Sequence, residues 1–155
     1  MHDLVAYKAA TSEEQEAIPL PRILIIDDSP AICDLLCQVL EHACYRVAAV
    51  PGGESAWPWI DQAMHSGDPP ALILLDLSLP SRNGIILHHL RAQRDTFLPP
   101  VIVMTTSKHI YEEVAPVERV ICKPFHLCDL LAEVERVIPL APQREHGYPA
   151  NTVSL

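Results

Sequence analysis

The chain is 155 residues long, 49% hydrophobic and 20% charged, with a formal net charge of -9 at pH 7. That length and apolar fraction suit one globular domain with tails, large enough to bury a core. The acidic balance argues against an unaided grip on a phosphate backbone, which requires clustered Lys and Arg, so no direct nucleic-acid partner is expected.

In chain order, residues 1–20 carry Glu13, Glu14 and Glu16 and lack both a basic start and an apolar block. They read as a flexible extension rather than a targeting segment. The domain is expected over residues 21–139. Arg22 to Ile26 reads as a continuous buried strand, and Ile32, Leu35, Leu36, Val39, Leu40 and Ala43 then recur at three- and four-residue steps along one helical face. Ser29 and Pro30 suit the start of that helix. Tyr45 to Val50 is a second, less apolar strand, suited to a sheet edge. Trp57, Ile60 and Met64 mark a second helix after Pro51-Gly52-Gly53, with Pro58 obscuring where it begins.

Ala71 to Leu75, Val101 to Met104 and Val117 to Cys122 supply three further strands, with helices near Ile85 to Arg94, Ile110 to Ala115 and Phe125 to Ile138. Residues 140–155, with Pro142 and Pro149, are expected to form a disordered tail. No apolar run approaches the ~20 residues of a membrane-spanning helix. Five cysteines without a CxxC pair fit a reducing cytosol. A cytoplasmic protein without membrane insertion is expected.

Apolar strands alternating with amphipathic helices define an α/β fold built on a parallel sheet. Right-handed crossovers leave a flavodoxin-like (βα)5 three-layer sandwich, with a five-stranded parallel sheet in the order 2-1-3-4-5, as the expected arrangement. The polar residues that follow the strands then share one rim: Asp27, Asp28, Asp76, Thr105 and Lys123. Neighbouring carboxylates resist full ionisation, so this rim must take up protons, be neutralised by Lys123 or bind a hard cation. Oxygen-only ligands at a partly open rim suit Mg2+. A carboxylate can also attack a phosphoryl group and form an acyl phosphate, with a metal, an ammonium and a hydroxyl stabilising the phosphoryl oxygens. Asp28, Lys123 and Thr105 fit those three places.

The segments IIDDSP, DLSLPSRNG, VIVMT and CKPF closely resemble the receiver domain of bacterial response regulators over residues 22 to 138. The resemblance implies an aspartyl phosphate at Asp76 and Mg2+ bound by Asp28, Asp76 and the Ser78 carbonyl, with Asp27 assisting through water. It implies that Thr105 and Lys123 bind the phosphoryl oxygens. Pro80 and Gly84, four and eight residues after Asp76, belong to the same pattern, and Lys123-Pro124 implies a cis peptide bond.

Two positions and one spacing depart from the family pattern. Thr106 stands where an Ala or Gly usually follows the conserved hydroxyl residue, and its β-branched side chain implies slower access and a long-lived phosphoryl group. Val120 replaces the usual switching aromatic, which puts Tyr111 forward as a substitute. The stretch from Thr105 to Lys123 is also shorter than usual, implying a short or displaced fourth helix, so signal is expected to leave near the loop at Ser107 to Tyr111 or through the face beside the fifth strand.

Other features have plain structural readings. Asp76 alone would suit a helix cap. Cys122, His126 and Cys128 cluster in sequence but lack the paired spacing of a zinc site. His88 and His89 lie on a crossover helix and suit the surface, and Trp57 and Trp59 suit packing. The expected function is that of a phosphoacceptor in a two-component or phosphorelay system: a sensor histidine kinase or phosphotransfer protein modifies Asp76 with Mg2+, and the modified form binds a downstream protein. A switch without an output domain, rather than an enzyme, is the expectation. The alternatives are a phosphate-independent adaptor and a haloacid dehalogenase-type phosphohydrolase, which would place its nucleophile in a D-x-D on the first strand.

Overall fold

The computed structural model describes residues 19–52, 55–78, 84–92, 98–107 and 117–140. Among these lie five strands, β1 (Arg22–Ile26), β2 (Arg46–Val50), β3 (Leu72–Asp76), β4 (Val101–Thr105) and β5 (Arg119–Cys122). Four helices accompany them, α1 (Pro30–His42), α2 (Ala56–His65), α3 (Gly84–Ala92) and α4 (Leu127–Val137). The strands are all parallel and run in the order β2-β1-β3-β4-β5, the flavodoxin-like order expected. The helix expected at Ile110 to Ala115, Tyr111, Pro80, residues 1–18 and residues 141–155 lie outside the described residues.

Side chains alternate across a strand, so the sheet has two apolar faces. Leu24, Ile26, Ile73, Leu75, Val101 and Val103 pack beneath Ala56 and Ile60 of α2 and Ile86 and Leu87 of α3. Ile23, Ile25, Leu72, Leu74, Ile102 and Met104 pack against Cys33, Leu36 and Leu40 of α1 and Leu130 and Val134 of α4. The three central strands are buried almost throughout, whereas β2 and β5 have exposed or half-buried positions, as befits edges. Trp57 and Trp59 are half-buried packing residues on the first face.

The strands sit slightly differently from the sequence reading, and the shift matters for the site. Asp76 pairs in register with Met104, so the acid is the last rung of β3 rather than the first loop residue. β4 likewise extends through Thr105, opposite Cys122. β5 begins at Arg119 rather than Val117, because the ladder to β4 opens with the Glu118 N–H donating to the Val101 carbonyl at 3.0 Å. α4 starts at Leu127, since His126 is still extended and occupies the cap position.

Local chemistry explains the helix ends. Ser29 caps α1 by accepting the Ile32 N–H at 3.5 Å, and Pro30 occupies the first helical position, where its missing N–H breaks no bond. Pro58 sits in the first turn of α2 for the same reason. α1 ends with the Tyr45 N–H on the Leu40 carbonyl and the Cys44 N–H on the Glu41 carbonyl, both at 3.0 Å. This is the Schellman arrangement, and its left-handed position is held by Cys44 at φ 65° instead of the usual glycine. A Cβ in that region costs about 1 kcal/mol. Cys44→Gly is therefore expected to raise the melting temperature by about 3–6 °C, read by thermal denaturation; an unchanged midpoint would mean the turn carries no such cost.

At the amino ends of β1 and β2, Asp68 joins Arg22 at 2.8 Å and Arg46 at 2.7 Å. The hydrogen bond from Arg46 holds the Asp68 carboxyl below its usual range. Arg22 also lies 4.8 Å from the centre of the Trp59 ring. This rim is closed by compensated charge. The opposite one is acidic.

Candidate functional site

Asp27 follows β1 directly and is 2% exposed. Its N–H continues the β1–β2 ladder onto the Val50 carbonyl at 3.3 Å. One carboxylate oxygen, Oδ1, accepts the Ser29 N–H at 2.8 Å, and the other, Oδ2, lies 3.3 Å from Lys123 Nζ. Asp76, 6% exposed, is built the same way at the end of β3. Its Oδ1 accepts the Ser78 N–H at 2.9 Å and the Ser78 hydroxyl at 2.6 Å, and lies 3.1 Å from Lys123 Nζ.

Lys123 thus joins two acids that are 49 positions apart in the chain, its ammonium bridging Asp27 and Asp76. Its backbone holds it there, because the Lys123 N–H donates to the Thr105 carbonyl at 2.7 Å and so carries the β4–β5 pairing one residue further. The Lys123–Pro124 bond is cis, as expected. Thr105 is fully buried, and its Oγ1 accepts the Ser107 N–H at 3.1 Å. A hydroxyl that accepts one bond still has its own proton to donate.

Of the residues expected on this rim, Asp27, Asp76 and Lys123 are in direct contact, and Thr105 is tied to them through the backbone of Lys123. Asp28 is exposed beside Asp27. Thr106 is exposed next to Thr105, and Val120 is half-buried against the core face that includes Val103. His88 and His89 are exposed, His89 lying 5.5 Å from the Trp57 ring.

The donor chemistry fits a hard divalent cation. Three carboxylates against one ammonium leave two formal negative charges on the rim, and all the candidate ligands are oxygens. Among the described residues no three His, Cys, Asp or Glu side chains already surround one point. Mg2+ retains several waters and takes only one or two carboxylates from a protein.

Two contacts were legible in the sequence but not read from it. Asp27-Asp28-Ser29 and Asp76-Leu77-Ser78 share a D-x-S spacing, and in both the Ser N–H returns to the Asp Oδ1, at 2.8 and 2.9 Å. Such Asx turns are a known habit of Asp before a turn, and they fix the direction of both carboxylates. The third contact is the thiol of Cys33 on α1, which donates to the Asp27 carbonyl at 3.4 Å. Burial, and then the charge of Asp27, push the Cys33 thiol above its ordinary range, so it stays protonated and serves as a donor.

A parallel five-stranded sheet with acids on the carboxyl ends of β1 and β3 and a lysine after β5 describes a receiver module. The chain belongs to the response regulator receiver domain family, whose model matches residues 23–135. It is 35% identical over 133 residues to the transcriptional regulatory protein BaeR of Escherichia coli, covering 81% of this chain and 51% of BaeR. It is also 35% identical over 124 residues to the DNA-binding dual master transcriptional regulator RpaA of Synechocystis, covering 77% of this chain and 49% of RpaA. The chain thus spans about half the length of these curated relatives. In fold it resembles the response regulator TrrA of Thermotoga maritima, solved in complex with Mg2+-BeF, with a TM-score of 0.62 at 24% identity over 77% of this chain and all of that one. Receiver domains are signalling modules of two-component systems rather than conventional enzymes. Among the described residues no helix is long and apolar enough to cross a membrane.

Proposed function

We propose that this chain is a phosphorylation-controlled switch in which Asp76 accepts a phosphoryl group from the phosphohistidine of a sensor kinase or phosphotransfer protein. The observation that carries this reading is the Lys123 ammonium lying 3.1 Å from Asp76 and 3.3 Å from Asp27 at the carboxyl rim of the sheet. Asp28, Asp76 and the Ser78 carbonyl would hold Mg2+, with Asp27 reaching it through water. Bound there, the cation would screen the repulsion between the attacking carboxylate and the donor phosphate.

In the transfer, a carboxylate oxygen of Asp76 bonds to phosphorus as the donor's N–P bond breaks, leaving an acyl phosphate and, from a donor ring that carries a proton on its other nitrogen, a neutral histidine. Lys123 needs little movement for this, because it already sits on the acceptor carboxylate and can keep Asp27 while pairing a phosphoryl oxygen. Thr105 can turn its hydroxyl proton toward another phosphoryl oxygen. The same oxygen accepts the Ser107 N–H, so a shift of the Thr105 side chain toward the phosphoryl group would be felt at Ser107. The consequence would be altered affinity for a downstream protein in the cytoplasm, and the regulatory relatives suggest that such a target acts in transcription.

Position favours this over the haloacid dehalogenase alternative, since the proposed nucleophile lies on β3 and not in a D-x-D on β1. The test is incubation with Mg2+ and acetyl phosphate followed by mass spectrometry. One phosphoryl group on the Asp76 peptide, absent when the metal is chelated, is expected, and modification elsewhere would overturn the assignment. The same assay addresses Thr106. Its exposed, β-branched side chain beside Thr105 would obstruct attacking water, so Thr106→Ala is expected to shorten the phosphoryl lifetime several-fold. A lifetime equal to wild type would remove that role.

A further inference from the structure

We propose that the Ser78 hydroxyl is a built-in competitor of the divalent cation, a hydrogen-bond lock on Oδ1 of the acceptor carboxylate that must open before metal can bind that oxygen. The inference rests on the reading of Asp76, Asp28 and Ser78 as the Mg2+ site and adds an opposing role for one of those residues.

Asp76 Oδ1 receives the Ser78 hydroxyl at 2.6 Å, the Ser78 N–H at 2.9 Å and the Lys123 ammonium at 3.1 Å. An oxygen of an ionised carboxylate offers about two in-plane lone pairs, so three donors already saturate it. A cation approaching this oxygen must displace one of them. The N–H is fixed by the turn that shapes the loop. The ammonium is shared with Asp27 and can swing toward it. The hydroxyl is the shortest of the three contacts and, at the end of a single rotatable bond, the one that can leave without moving backbone. Its bond to a charged acceptor is of the stronger kind, so releasing it opposes metal binding.

Ser78 would then act twice, its carbonyl favouring the cation and its hydroxyl resisting it. The competition keeps the rim neutralised by donors when metal is scarce. Asp27 offers a contrast within the same molecule: its Oδ1 receives the matching Ser29 N–H at 2.8 Å, whereas the Ser29 hydroxyl accepts the Ile32 N–H as the cap of α1. The two D-x-S turns share a backbone but differ in what the hydroxyl does.

The experiment is Mg2+ titration of the full chain, with the main-chain amide resonances of residues 76–78 followed by NMR at constant ionic strength. Wild type, Ser78→Ala, Ser78→Thr and Asp76→Asn are compared. Ser78→Ala keeps the N–H contact and the carbonyl and loses only the hydroxyl, so its Mg2+ dissociation constant is expected to fall about five- to tenfold. Ser78→Thr retains a hydroxyl and should stay close to wild type, which a merely steric effect of the side chain would not produce. Equal or weaker affinity in Ser78→Ala, with saturable binding that Asp76→Asn abolishes, would overturn the lock and leave the metal site standing. No saturable response in wild type or Ser78→Ala would overturn the metal site, and the lock with it.

Discussion

Asp76→Asn is expected to abolish phosphoryl uptake from acetyl phosphate, with a loss of about 10^3-fold or more in rate. The substitution is nearly isosteric and removes what the transfer needs, a charged oxygen able to bond to phosphorus. An amide oxygen carries no full negative charge, and the amide nitrogen has its electron pair committed to the carbonyl. The surroundings should tolerate the change. An Asn oxygen can still accept the Ser78 N–H that holds the loop at 2.9 Å, and Lys123 keeps its contact with Asp27 at 3.3 Å. The variant should therefore fold normally, as read by far-ultraviolet circular dichroism, while intact-mass measurement finds no phosphoryl adduct. A variant that folds and still takes up a stable phosphoryl group would move the acceptor to another side chain.

The architecture was readable from the sequence because its central strands are apolar on both faces. Ile23 to Ile26, Leu72 to Leu75 and Val101 to Met104 are almost wholly buried, which is the pattern that separates a covered parallel sheet from an exposed one. Strand limits were less readable. Asp76 and Thr105 look like loop residues by polarity, yet they occupy the last rungs of β3 and β4 because the ladder continues until the backbone turns. The acids were readable as a group from their place after strands. Their division of labour was not: Asp27 is buried on Lys123, whereas Asp28, where the chain bends away from β1, is exposed. The left-handed turn at Cys44 could not be foreseen from composition either, since nothing in a cysteine signals the conformation that glycine normally supplies.

Lys123→Met should impair both chemistry and stability, and the two effects respond differently to metal. Methionine keeps the length and apolar stem of the side chain, so what disappears is the ammonium between Asp27 and Asp76. Without it the two carboxylates, whose side chains are 1% and 9% exposed, face one another uncompensated. Removing one partner from a buried charged cluster costs about 3–5 kcal/mol. With the Lys123 side chain 21% exposed, solvent relieves part of this, and a loss of about 1–3 kcal/mol is expected in metal-free buffer. Mg2+ should then restore more stability to the variant than it adds to wild type. The rim now carries one more uncompensated negative charge, and binding to the native state stabilises in proportion to affinity. Phosphoryl transfer should not recover in parallel, because the missing donor to the phosphoryl oxygens is worth about 10^2-fold or more. Urea denaturation with and without Mg2+, set beside the acetyl phosphate assay, separates these outcomes. If metal-free Lys123→Met unfolds at the wild-type midpoint, the ammonium is not what balances the acids. If Mg2+ restores both stability and transfer, Lys123 acts only as a counter-charge and makes no contact of its own with the phosphoryl group.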